Sequence, residues 1–133
     1  MEINSEQEML AFGQDLAKKI TAPAVIELVG DVGAGKTTLV RGLAKSLGVK
    51  TPVTSPSFTI SKTYALPNDK NLVHYDFYRL SDPGIMVEDL QENLNNPNNI
   101  IVIEWGKSIA HLLPENHLKI EIKYTDTGRE IIL

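Results

Sequence analysis

An α/β fold, with a mixed central β-sheet flanked by helices and antiparallel hairpins at its margins, is predicted by three observations. The apolar run Ala24-Val25-Ile26-Glu27-Leu28-Val29 enters a glycine-rich turn, after which Leu39, Val40, Leu43, Ala44 and Leu47 recur at helical spacing, giving a strand–loop–helix unit. Ile100-Ile101-Val102-Ile103 is continuously apolar, the pattern of a central strand buried on both faces. Elsewhere apolar and polar residues alternate with the period of two that marks half-buried strands. The 133 residues fit one domain, spanning 1–133, and are enough to bury a working core.

The first element is a helix. Ser5-Glu6-Gln7-Glu8 reads as a capping box, and Met9, Phe12, Leu16 and Ile20 follow at spacings of three and four, ending before Pro23. Its apolar stripe is expected to cover the sheet; a place for its N-terminal end beside a nucleotide base is the other reading.

Gly30-Asp31-Val32-Gly33-Ala34-Gly35-Lys36-Thr37 then satisfies G-x-x-x-x-G-K-[ST], a phosphate-binding loop in the strand-to-helix context that such loops require. Glycines let the backbone turn tightly around a phosphate, and the following helix adds its positive N-terminal end. Lys36 is expected on the β and γ phosphates, and Thr37 on Mg²⁺. The fold is thus expected to be that of the P-loop NTPases. The second helix runs to about Leu47, with Gly48 as the left-handed residue past its end.

Thr51-Pro52-Val53-Thr54-Ser55-Pro56-Ser57 is a loop by composition. Its position after the phosphate-loop helix suits either a γ-phosphate sensor or an ordinary connection. Phe58, Ile60 and Tyr64 alternate with hydroxyl residues, and Leu72 to Tyr78 forms a neighbouring strand across Pro67-Asn68-Asp69-Lys70, an antiparallel hairpin. His74 has no companion His or Cys at ligand spacing and reads as structural. Asp82-Pro83 supplies an N-cap and first position for a third helix whose stripe, Met86, Leu90 and Leu94, reads as core. Asn95-Asn96-Pro97-Asn98-Asn99 ends it before the central strand. A short helical segment around Ile109 to Leu113 precedes a closing hairpin, Leu118 to Tyr124 and Arg129 to Leu133, turned by Asp126-Thr127-Gly128.

Charge and composition exclude several classes. A formal charge of −4 and a pI near 5.3 argue against a broad nucleic-acid footprint, so any RNA would be held by something else. The chain has no cysteine, hence no disulfide or thiolate metal site. No apolar run approaches the roughly 20 residues of a membrane span, and the polar N-terminus is no signal peptide; a cytoplasmic protein is expected. A magnesium nucleotide needs a carboxylate near the metal, and in this architecture it lies at the C-terminal end of a strand. Glu104 and Asp76 both qualify. Arg79 and Arg41 could approach phosphate charge as a cis arginine, but Arg41 reads as solvated and neither makes a strong internal arginine finger, so slow turnover alone, or dependence on a partner, is expected.

Taken together, Gly30 to Thr38, Ser55-Pro56-Ser57-Phe58-Thr59, His74-Tyr75-Asp76-Phe77-Tyr78-Arg79-Leu80, Ile103-Glu104-Trp105 and Gly128-Arg129 resemble the bacterial TsaE family, the small ATPase subunits of tRNA threonylcarbamoyladenosine synthesis. The resemblance implies ATP and Mg²⁺ as cofactors and the proteins TsaD and TsaB as partners, with tRNA reached only through the complex. It implies Lys36, Asp76 and Glu104 as catalytic residues and Thr37 and Glu104 on the metal. Nucleotide contacts would come from Asp31, Gly33, Ala34, Gly35, Lys36, Thr37 and Thr38, with Glu6 and Arg129 near the base and residues 55–59 as a mobile loop. Ser57 stands where the family usually has Thr, and residues 84–89 only loosely follow its acidic helix. Against this stand a small-molecule kinase, for which the chain offers few arginines and little length for a lid, and a non-catalytic nucleotide-binding regulator. A GTPase lacks its N-K-x-D motif here.

Overall fold

Strand β2 (Ala24–Gly30) is the axis of the sheet, because it carries the phosphate loop and has a parallel neighbour on each side. The computed structural model describes residues 1–31, 33–54, 56, 60–78 and 84–133, Ile85 by its backbone alone. The remaining elements are β1 (Glu2–Ile3), α1 (Glu6–Ala17), α2 (Lys36–Leu47), β3 (Ser61–Ala65), β4 (Asn71–Asp76), α3 (Gly84–Leu94), β5 (Asn99–Glu104), β6 (Leu118–Tyr124) and β7 (Arg129–Ile132). The sheet order is β1-β7-β6-β2-β5-β4-β3. Its four central strands are parallel, and both margins are antiparallel hairpins, as the sequence predicts.

Alternation along the strands divides the core in two. Ile26, Leu28, Leu72, Ile100, Val102 and Ile120 face α1 and α2. Val73, Tyr75, Ile101 and Ile103 face α3, through Leu90, and the 3₁₀ segment Gly106–Leu112, through Ile109. Every residue of β5 is buried, so its run of apolar residues has a place on both faces. The stripe on α3 is core: Leu90 is buried, with Met86 and Leu94 packed beside it. A polar clasp reinforces that face, in which the Tyr75 hydroxyl donates to Asp89 at 2.5 Å and accepts from Asn93 at 2.7 Å.

Helix α1 begins where the capping residues predict. Ser5 Oγ accepts from Glu8 N–H at 3.1 Å, while the Glu8 carboxylate reaches past the cap to Asn4 N–H at 2.5 Å. It packs mainly on α2 rather than directly on the sheet. Gly13 and Gly42 permit this, since a Cβ at Gly13 would lie 2.2 Å from Leu39 O and one at Gly42 2.2 Å from Leu10 O. Helix α2 ends on Gly48, at φ 102°, whose N–H closes onto the carbonyls of Ala44 and Lys45.

Several boundaries differ from expectation, beginning with α1, which stops at Ala17 and leaves Ile20 outside the helix, still packed against the core. The two-residue β1, absent from the predicted elements, pairs with β7 and is too short to have a period. Ile60 lies outside β3 at φ 69°, and β4 stops at Asp76, where the Tyr78 N–H turns back onto the Asp76 carboxylate at 2.9 Å. The segment expected near Ile109 is 3₁₀ and starts earlier, at Gly106. The loop residues 55 and 57–59, Arg79 and the Asp82-Pro83 cap lie outside the described residues. Among the described residues no helix is long and apolar enough to cross a membrane.

Candidate functional site

Three parallel strands end side by side at the mouth of the phosphate loop. In the β4–β5–β2 register Asp76 lies opposite Glu104, and Glu104 opposite Leu28, two residues before Gly30. Strand period does the rest: Asp76 and Glu104 share parity with Leu72 and Ile100, which puts both carboxylates on the α2 face. Both are buried. The crevice beyond the C-terminal ends of the strands is therefore acidic and lies against the start of α2.

The loop itself needs its glycines. Gly33 and Gly35 have φ of 81° and 109°, where a side chain is strained, and a Cβ on Gly35 would come within 2.9 Å of Met9. Ala34 N–H closes onto Asp31 O at 3.0 Å. Helix α2 starts from Gly35 with no side chain capping its first turn, so its leading N–H groups are left to another acceptor. Thr37 and Thr38 lie in that first turn, half-buried. Asp31 is exposed at the rim.

Lys36 is buried, 6% exposed. Its Nζ donates to Gly30 O at 2.5 Å and lies 3.9 Å from the centroid of the Trp105 ring. Burial lowers its pKa below the ordinary 10.5, against the upward pull of Glu104, Asp76 and Asp31 in that order. Trp105 reaches the lysine because its backbone is left-handed, at φ 56°, a conformation that costs a non-glycine residue about 1 kcal/mol. Tyr78 also packs on the indole, its ring tilted and the centroids 4.7 Å apart.

A second cavity, of about 370 Å³, adjoins the loop and is lined by Asn4, Glu6, Met9, Ala34, Thr38 and Arg129. Arg129 also braces the loop from β7: its Nε donates to Ala34 O at 3.2 Å and an Nη to Gly33 O at 3.3 Å, while its guanidinium stacks 4.0 Å from the Tyr124 ring centroid. The structure thus brings together Lys36, Asp76 and Glu104 at one end of the loop, and Glu6, Thr38 and Arg129 at the other. Arg41 is apart from the acids, exposed, 4.0 Å from Glu6. The first helix packs through its stripe on α2 rather than covering the sheet as its sequence suggests, and its N-terminal end lines the cavity with Glu6 and Met9.

Two site contacts escape sequence reasoning. The Trp105–Lys36 contact depends on a left-handed residue that no pattern announces. His74 is fully buried with Nε2 2.5 Å from Glu104 Oε2. A signal for it exists in the sequence, because His74 stands two residues before Asp76 and so on the same face of β4.

A glycine loop between a parallel central strand and a helix, with strand-end acids facing its lysine, defines the P-loop class of α/β fold. The family model for "Threonylcarbamoyl adenosine biosynthesis protein TsaE" matches residues 3–131. The chain belongs to the TsaE family. It is similar to proteins called tRNA threonylcarbamoyladenosine biosynthesis protein TsaE from Streptomyces coelicolor (40% identity over 126 residues, 92% of this chain and 85% of that protein) and Haemophilus influenzae (36% over 140 residues, 98% and 85%). The crystal structure of Bacillus subtilis YdiB superposes with a TM-score of 0.76 at 33% identity, covering 96% of this chain and 78% of that one. A role in tRNA threonylcarbamoyladenosine biosynthesis follows from the family.

Proposed function

We propose that the chain binds Mg-ATP at the phosphate loop and hydrolyses it, slowly alone, in support of a TsaD–TsaB pair that forms N6-threonylcarbamoyladenosine beside the tRNA anticodon. The observation that carries the ATPase reading is the buried Lys36. A lysine whose charged form burial disfavours, set at an uncapped helix start, gains most when an anion arrives.

The residues present fit a magnesium nucleotide. The left-handed glycines hold a tight loop conformation that a side chain would strain, Thr37 offers a hydroxyl in the first turn, and Glu104 and Asp76 offer carboxylates a strand's width apart. Thr37 and Glu104 would hold Mg²⁺, which supplies charge neutralisation across the phosphates. Lys36 leaves the Gly30 carbonyl for the β and γ phosphate oxygens and stabilises the charge of the transferring phosphoryl group. Asp76 or Glu104 orients the attacking water. Glu6, Thr38 and Arg129 would border the base and ribose in the adjoining cavity. The acidic net charge supports leaving tRNA to the partners.

The test is ATP turnover by the purified chain, alone and with TsaD and TsaB, with Lys36→Ala as control. Stimulation that vanishes in the variant is expected. Binding without turnover under either condition would overturn hydrolysis in favour of a regulator, and turnover that needs a small-molecule acceptor would point to a kinase. Thr37→Ala should weaken the Mg²⁺ dependence; an unchanged dependence would move the metal away from Thr37.

A further inference from the structure

We propose that His74 is a positioning residue that fixes the Glu104 carboxylate for the phosphate-loop site, an inference that rests on the metal-side role given to Glu104 above. The two residues sit on neighbouring parallel strands, His74 opposite Val102 and Glu104 two residues farther along β5. Both side chains point to the α2 face. His74 is wholly buried and the Glu104 side chain 4% exposed, so their 2.5 Å contact is made out of water's reach.

Chemistry assigns the proton. His74 Nδ1 has no hydrogen-bond partner among the described residues. A proton on Nδ1 alone would leave a buried donor unpaired and would set the Nε2 lone pair against a carboxylate oxygen. The neutral tautomer with Nε2–H donating to Oε2 avoids both penalties and leaves only a bare acceptor unpaired. Oε2 is then anchored from the core, and Oε1 is the oxygen left to the metal. An acid at the end of a strand has several rotamers; this one is held by a group that never touches the nucleotide.

A histidine that merely filled space would act on folding alone. A positioning histidine acts on the metal, and a side chain that donates from the same place restores it. Three full-length variants separate these cases: His74→Leu, His74→Gln, whose amide nitrogen can stand in for Nε2, and Glu104→Gln. The readout is the gain in ATP affinity on adding Mg²⁺, measured by calorimetry. Positioning groups behind metal ligands change affinity by about 10- to 100-fold. His74→Leu is expected to lower the gain about tenfold, His74→Gln to recover most of it, and Glu104→Gln to abolish it. In nucleotide-free ¹⁵N-labelled wild type, imidazole spectra should show His74 protonated at Nε2 and bare at Nδ1.

An unchanged gain in His74→Leu with a lost gain in Glu104→Gln overturns the role of His74 and leaves that of Glu104 standing. An unchanged gain in both overturns the metal reading of Glu104, and with it the proposal. A bare Nε2, or His74→Gln no better than His74→Leu, overturns the hydrogen-bonded mechanism.

Discussion

Lys36 carries its ammonium group into a buried position that lowers its pKa, and this has a consequence for stability. The unfolded chain binds the proton up to the ordinary pKa of 10.5, while the folded chain gives it up earlier. Between those two values the unfolded state holds more protons, so stability rises with pH through that window; below the folded pKa the full penalty applies. Urea unfolding across the alkaline range, wild type against Lys36→Met, is expected to show wild type gaining on the variant as pH approaches 10.5. The opposite slope would mean that Glu104, Asp76 and Asp31 outweigh burial. Trp105, the only tryptophan, touches the same ammonium group. Its emission should change when Mg-ATP draws Nζ away and should stay constant in Lys36→Ala; a wild-type signal that ignores nucleotide would remove the indole from the site. At this scale the sequence exposes residues with a rule behind them. Gly33, Gly35, Lys36 and Thr37 follow from the loop pattern, and Asp76 and Glu104 from strand ends. His74 was legible only as a structural histidine, because ligand spacing looks for a metal and overlooks a hydrogen bond between two strands.

The element that fixes the start of α2 is α1, and their contact is built on backbone. A Cβ at Gly13 would meet Leu39 O at 2.2 Å and Leu43 N at 2.8 Å, and one at Gly42 would meet Leu10 O at 2.2 Å, none of which can swing aside. Gly13→Ala and Gly42→Ala should each destabilise by about 2 kcal/mol or more, the scale of overpacking a closed interface, despite the better helix propensity of alanine. Thermal unfolding checks this, at roughly 3–5 °C per kcal/mol for a domain of this size. A stability equal to wild type would show that the helices can part at little cost. Periodicity names the apolar stripe of α1, Met9, Phe12 and Leu16, and carries it on to Ile20 beyond the helix end, but it is blind to the glycines between, and so to the helix that the stripe packs on. The closing hairpin shows the same limit. Alternation predicts β6 and β7; that Arg129, stacked on Tyr124, braces the phosphate loop from β7 depends on a contact across 95 positions of chain.

At the scale of the molecule the fold class was readable, because apolar runs, helical stripes and a glycine loop each obey one local rule. The order of the strands obeys none of them. β2 sits between β5 and β6, both of which come from the second half of the chain, and Gly30 is pressed against Ile122, whose carbonyl would lie 2.8 Å from a Cβ there. On a ribosome the loop sequence therefore emerges early but lacks both of its walls until β5 and then β6 have followed. A chain truncated after residue 112 has β5 but neither β6 nor the Arg129 brace, and Mg-ATP should give it no protection from protease, whereas the 133-residue chain should be protected. Competence for nucleotide would then arrive in a single late step of synthesis, and no half-made copy could sequester ATP.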